Sequence, residues 1–172
     1  MSPLTCRGFT LIELIMAVAI SAILLGVGIP SFQSFAQDSR VTSQTNEFVA
    51  AINTARSEAI KRSAPIGMCS SSDALTCAAS NSWTSGWIIF TDSSGATGAI
   101  DATDTLLRAY AALGGNSTLS TAATNSIRYL PTGALGGTTV DFSLQTPDCV
   151  VDDNRQITVN RQGHARVQPQ SC

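Results

Sequence analysis

The sequence is poor in the residues that most chemistry needs. Its 172 residues include a single histidine, His164, and only 13% of them are charged. It holds no Gly-x-Ser-x-Gly elbow, no Gly-x-x-x-x-Gly-Lys-[Ser/Thr] loop and no Gly-x-Gly-x-x-Gly fingerprint. Acyl transfer, nucleotide hydrolysis and dinucleotide binding therefore have no local support. His164 lies near the C-terminus on a predicted turn, with no motif for nucleophile, base and orienter around it. The expectation is a chain that is not an enzyme and needs no cofactor; an anchored hydrolase built on His164 ranks last. The stretch Asp92-Ser93-Ser94-Gly95 through Asp101 and Asp104 offers oxygen ligands. It lacks the EF-hand spacing and the closing glutamate, so it reads as a solvated hairpin loop rather than a metal site.

None of the five cysteines falls in a Cys-x-x-Cys pair, which argues against a zinc ribbon or a thioredoxin-type site. Cys6 precedes a long apolar segment, and Cys69, Cys77, Cys149 and Cys172 follow it. Four cysteines allow three pairings, and two structural disulfides fit an oxidising compartment. The short interval from Cys69 to Cys77 favours a local bridge, leaving Cys149 with Cys172 to staple the C-terminal tail. A net charge of −2 gives no bulk attraction for polyanions, so any such binding needs a local patch.

What the chain does have is one long apolar run, from Leu11 to Ile29. At about 1.5 Å per helical residue it reaches across a bilayer core. It is too long for a secretory signal's apolar region, and it ends in Ile29-Pro30 rather than at a small-x-small cleavage site. Arg7 precedes it and no further basic residue occurs until Arg40, which places the short N-terminus in the cytoplasm and exports the rest. Glu13 interrupts the apolarity. A carboxylate inside a membrane costs about 2.5–3.5 kcal/mol on insertion scales, so Glu13 either takes a charged partner or snorkels to the interface at the helix N-terminus.

Gly8-Phe9-Thr10-Leu11-Ile12-Glu13, followed by the apolar helix, resembles the type IV prepilin signature. The resemblance implies that a prepilin peptidase cuts between Gly8 and Phe9, that Phe9 is N-methylated, and that Cys6 leaves with the leader. The mature chain would then carry −3. It also implies that Glu13 meets the N-terminal amine of a neighbouring subunit during assembly, which would satisfy both buried charges.

Beyond the anchor, Pro30 is expected to kink the helix rather than stop it, because the helical pattern resumes. Phe48, Ile52, Ala55 and Ala59 form an apolar stripe, and Glu58 can pair with Arg62. Ser63-Ala64-Pro65 supplies the stop, giving one kinked helix from about Thr10 to Arg62. Strands are then expected at 66–69, 87–91, 106–110, 127–130, 140–144, 157–160 and 165–167. The predicted fold class is α+β: a long kinked N-terminal helix, its first half transmembrane, packed on a small antiparallel sheet. Trp83 and Trp87 read as core residues.

Ala55-Arg56-Ser57-Glu58-Ala59, then Cys69, Cys77, Trp83, Gly86-Trp87 and a late Gly-x-x-x-Val, in that order, are similar to the GspH/FimT branch of minor pilins and pseudopilins. With the leader, the similarity covers most of the chain. It implies a leader at 1–8, a transmembrane helix at 9–30, the amphipathic half of the same helix at 31–62 and a β-rich periplasmic domain at 63–172. The expected location is the bacterial inner membrane, single-pass, and then a type IV pilus or a type II secretion pseudopilus. The expected partners are the prepilin peptidase and other pilins or pseudopilins in a hetero-oligomeric filament.

From Asn154 to Cys172 the chain contains Arg155, Arg161, His164 and Arg166 and no acidic residue. Gly163 permits a tight turn, so Arg161, His164 and Arg166 could face a phosphate backbone around one hairpin. The alternative is that Asp152, Asp153 and other carboxylates neutralise them as a mixed solvated surface. FimT-like pilins are associated with double-stranded DNA binding through a C-terminal Gly-Arg-x-Arg motif. Here the matching stretch is Gly163-His164-Ala165-Arg166, with a histidine in place of the first arginine, which weakens phosphate attraction at pH 7.

Overall fold

The computed structural model describes residues 9–95, 99–122, 124–147, 149 and 154–172, excepting the side chains of 27–31, 33 and 34. Among these residues one helix, α1 (Leu11–Arg62), precedes eight strands: β1 (Ile66–Ser70), β2 (Trp87–Thr91), β3 (Leu106–Tyr110), β4 (Thr118–Thr121), β5 (Ser126–Tyr129), β6 (Val140–Gln145), β7 (Asn154–Val159) and β8 (Ala165–Gln170). The chain divides into two compact units, Met1–Ser39 and Arg40–Cys172.

In the first unit α1 begins at the expected place, and Phe9, Leu11, Ile12, Leu14 and Ile15 are exposed. Among the described residues no helix is long and apolar enough to cross a membrane. The apolar run at 11–29 includes 27–29, whose side chains lie outside the described set. The helix continues through Pro30 without a stop.

The second unit is built on the stripe read from the sequence. Phe48, Ile52, Ala55 and Ala59 are all buried, joined by Val41 and Ala51. The helix ends where Ser63 enters a left-handed conformation (φ 49°), with its N–H and that of Ala64 returning to Ile60 and Ala59. Pro65 then starts the sheet.

A single sheet was expected, and the structure has two of four strands each, ordered β3-β2-β1-β5 and β4-β6-β7-β8. The reason lies in the core. Phe48 on α1 touches Trp87 of the first sheet (5.0 Å between ring centroids) and Phe142 of the second (4.9 Å), and Trp83 completes the cluster against both Phe48 and Phe142. One helical face thus covers the inner faces of two sheets. β4 was not anticipated, because Thr-Leu-Ser-Thr carries only one apolar side chain; Leu119 and Thr121 point inward and Thr118 and Ser120 outward. β8 also runs further than expected, through Pro169, which a sheet edge tolerates.

β1 is buried along its whole length. Ile66 and Met68 join the helix-side core, while Cys69 packs with Ile88 and Phe90 in a second cluster on the other face. Gly67 is required there: a Cβ would lie 2.5 Å from the Phe90 ring.

Candidate functional site

Of the expected leader junction, Gly8 lies outside the described residues and Phe9 is 89% exposed. Thr10 and Glu13 form a reciprocal cap. The backbone N–H and hydroxyl of Thr10 donate to Glu13 Oε2 at 2.9 and 2.8 Å, and the Glu13 N–H returns to Thr10 Oγ1 at 3.4 Å. This is a capping box with Thr10 as N-cap and Glu13 at the third helical position, and it satisfies donors that begin a helix without partners. Thr10 was not singled out in the sequence, although Thr-x-x-Glu before an apolar run is its signature.

The two disulfides join Cys69 to Cys77 (Cα–Cα 5.6 Å) and Cys149 to Cys172 (5.9 Å). The first closes a small loop in which Asp73 accepts from the N–H groups of Leu75 and Thr76 and from the Thr76 hydroxyl. Those bonds, the Thr76 hydroxyl first, hold the Asp73 carboxyl well below the usual carboxylate range. The second disulfide encloses β7, its turn and β8.

The carboxylates of the 92–104 loop serve the loop itself. Asp92 is buried against Arg128 (Nε to Oδ2, 2.6 Å) and accepts from the Gly95 N–H. Asp104 accepts from Ser93 and Asp101, and Asp101 from Thr103. Among the described residues no cluster of three potential metal ligands occurs.

The C-terminal basic residues fall into two places. Arg161, His164 and Arg166 are exposed around the β7–β8 turn, which is fixed by Asn160: its N–H donates to the His164 carbonyl (3.0 Å), its carbonyl accepts from Gly163 (2.8 Å), and its side chain accepts from the His164 N–H (2.9 Å). Arg155 is at the far end of the hairpin, opposite Pro169, on the sheet face away from Arg166. Asp152 and Asp153, weighed as neutralising partners, lie outside the described residues. Among the described residues neither Arg161 nor Arg166 has an ion-pair partner.

Gly163, expected to permit the turn and named with the possible DNA-binding residues, is buried. Its φ is 80°, and a Cβ would lie 2.1 Å from the Gly133 carbonyl oxygen and 2.9 Å from the Tyr129 ring. Arg56, from the helix motif Ala55–Ala59, donates through Nε to the same Gly133 oxygen at 3.0 Å. The Arg161 carbonyl accepts from the Leu135 N–H. Tyr129 lies beneath, its phenol pushed above the ordinary range by burial and its hydroxyl 3.5 Å from the Gly163 carbonyl. Arg56 and Gly133 therefore seat the turn on the helix. No sequence signal marked that role, because it joins residues far apart in the chain.

Residues 44–163 match the family described as type II transport protein GspH, and residues 4–29 match the prokaryotic N-terminal methylation motif. The type IV major fimbrial protein FimA of Dichelobacter nodosus is 47% identical over 51 residues, which are 28% of this chain and 33% of that protein. Prepilin peptidase-dependent protein D of Escherichia coli (strain K12) is 44% identical over 43 residues, 25% of this chain and 30% of that one. The chain thus matches about a third of the length of these curated relatives. In fold it is similar to the type IV minor pilin FimU of Pseudomonas aeruginosa, with a TM-score of 0.62 and 21% identity over 80% of this chain and 98% of that one. The family match over residues 44–163, joined by the N-terminal methylation motif, shows that the chain is a type IV pilin-like protein of the GspH family.

Proposed function

We propose that this chain is a non-catalytic filament subunit, cut between Gly8 and Phe9, N-methylated on Phe9, held in the inner membrane by the first half of α1, and drawn from there into a pilus or pseudopilus. The capped Glu13 carries this reading. In the isolated subunit Thr10 supplies the partners of the one carboxylate in the apolar run. In a filament, the Phe9 amine of a neighbouring subunit would replace them, and an ion pair is a stronger match for a buried carboxylate than a hydroxyl. Glu13→Ala should leave membrane insertion and Phe9 methylation intact, as read by fractionation and mass spectrometry, and remove the subunit from sheared filaments. Normal incorporation of the variant would refute the role assigned to Glu13.

A second reading, compatible with the first, is capture of double-stranded DNA by the β7–β8 turn. It is favoured by the exposure of Arg161, His164 and Arg166 around one turn without ion-pair partners among the described residues. Full-length protein in neutral detergent should bind duplex DNA with a salt dependence that grows shallower by about 0.9 in log–log slope for each phosphate left unneutralised in Arg161→Ala or Arg166→Ala. Absence of binding at low salt would leave the subunit purely structural.

A further inference from the structure

The two sheets have four edges, and the chain protects them unequally. β5 is closed by its own loop: the Gly136 N–H donates to the Arg128 carbonyl, Leu130 to Ala134, and the Thr124 hydroxyl brackets Ser126. β4 is closed by residues 81–84, through Trp83 to Leu119, Thr121 to Asn81, and the Leu119 N–H to the Thr84 hydroxyl. β3 is broken by a register shift opposite Ile89 and Phe90, a feature that blunts an edge. β8 has no such cover among the described residues.

The phase of its ladder is set by the Asn160–His164 bond. Alternation in antiparallel pairing then turns the backbone of Arg166, Gln168 and Gln170 toward β7 and leaves Ala165, Val167 and Pro169 facing outward. Among the described residues β8 pairs with β7 alone, and no turn or loop bond reaches the outward N–H and C=O of Ala165 and Val167. Pro169 sits at an outward position, so its missing N–H costs no bond to β7. It limits the open stretch to 165–168.

We propose that this open edge of β8 takes an extended segment of a partner protein as a fifth strand of the second sheet, and that the segment alternates apolar and acidic residues. The alternation follows from the two faces of the pleat. Ala165 and Val167 continue the inner row of Val159 and Ile157, and Val167 is left 39% exposed, so an added strand would cover it with apolar side chains. Arg166 points to the opposite face without an ion-pair partner among the described residues, and a carboxylate beside it would be a favourable cross-strand pair. A second copy of β8 would bring another Arg166 to the same face, a like-charge pairing, so the partner strand has a different and acidic sequence. A phosphate backbone could use the arginines but has no donors for the outward carbonyls, and the apolar row gives it nothing.

The test uses full-length protein in neutral detergent micelles and three probes: a capped octapeptide alternating Val and Glu, the same octapeptide N-methylated at alternate residues, and a short DNA duplex. Hydrogen exchange should show new protection of the Ala165 and Val167 amides with the first peptide, and the N-methylated peptide should bind about tenfold more weakly for each backbone bond it can no longer make. Val167→Pro removes an outward donor in the same phase as Pro169, so it should fold normally and lose binding by about tenfold; Arg166→Gln should weaken it by less. Equal binding of the two peptides, undiminished binding to Val167→Pro, or protection of these amides by the duplex and not by the peptide would each overturn the proposal.

Discussion

Gly163 shows how one atom can decide where an exposed turn sits. With φ at 80° and the Gly133 carbonyl 2.1 Å from where a Cβ would stand, the residue has room for hydrogen and nothing more. Holding a non-glycine residue in that conformation costs about 1–3 kcal/mol before any steric clash is counted. Gly163→Ala should therefore lower the urea midpoint of unfolding without a change in m-value, and an unchanged midpoint would show that the turn is not seated on Gly133 and Tyr129. The neighbouring exposed residues behave differently: Arg161 and Arg166 make no ion pairs among the described residues, so their replacement should cost little stability. Position 163 governs the placement of the turn, and 161, 164 and 166 govern what it presents. The sequence made the glycine legible as a turn residue, but only the approach of Gly133 and Arg56 made it a packing residue.

At the scale of elements, β8 depends on two ties. One is its ladder to β7, and the other is the Cys149–Cys172 bridge, which spans a sequence separation of 23 and closes a loop around the whole hairpin. An edge strand with one neighbour frays readily, and closing a loop of this length is worth about 3 kcal/mol in the chain-entropy view. Cys149→Ser with Cys172→Ser should cost about that much, and hydrogen exchange should rise first at the Arg166 and Gln168 amides, which face β7. Loss of protection spread evenly over both sheets would show that β8 and its bridge are not a separate unit. α1 is the contrasting element. Its stripe of Phe48, Ile52, Ala55 and Ala59 was readable from spacing alone, because helical periodicity repeats within a few residues. The strands at 87–91 and 106–110 were equally clear from their apolar runs, whereas Thr118–Thr121 was not, since its pairing with β6 and with residues 81–84 comes from the rest of the fold.

In the folded unit from Arg40 onward, Phe48, Trp83, Trp87 and Phe142 meet at ring separations of 4.9 to 5.9 Å, and that cluster holds one helix and two sheets together. The sequence by itself determined the elements whose physics is local: the apolar run from Leu11, the amphipathic stripe, the stop at Ser63-Ala64-Pro65, and an oxidisable set of four cysteines in which a short interval favours one bridge. Only the tertiary structure decided that the strands divide into two sheets, that Arg56 and Gly133 hold the β7–β8 turn, that Arg155 stands apart from Arg161, His164 and Arg166, and that β8 pairs on one side only among the described residues. Periodicity, capping and loop closure act between residues near in sequence, and a single chain displays them. Sheet order, seating of a turn and exposure of an edge depend on which distant surfaces fit together, a property of shape and packing that no local pattern encodes.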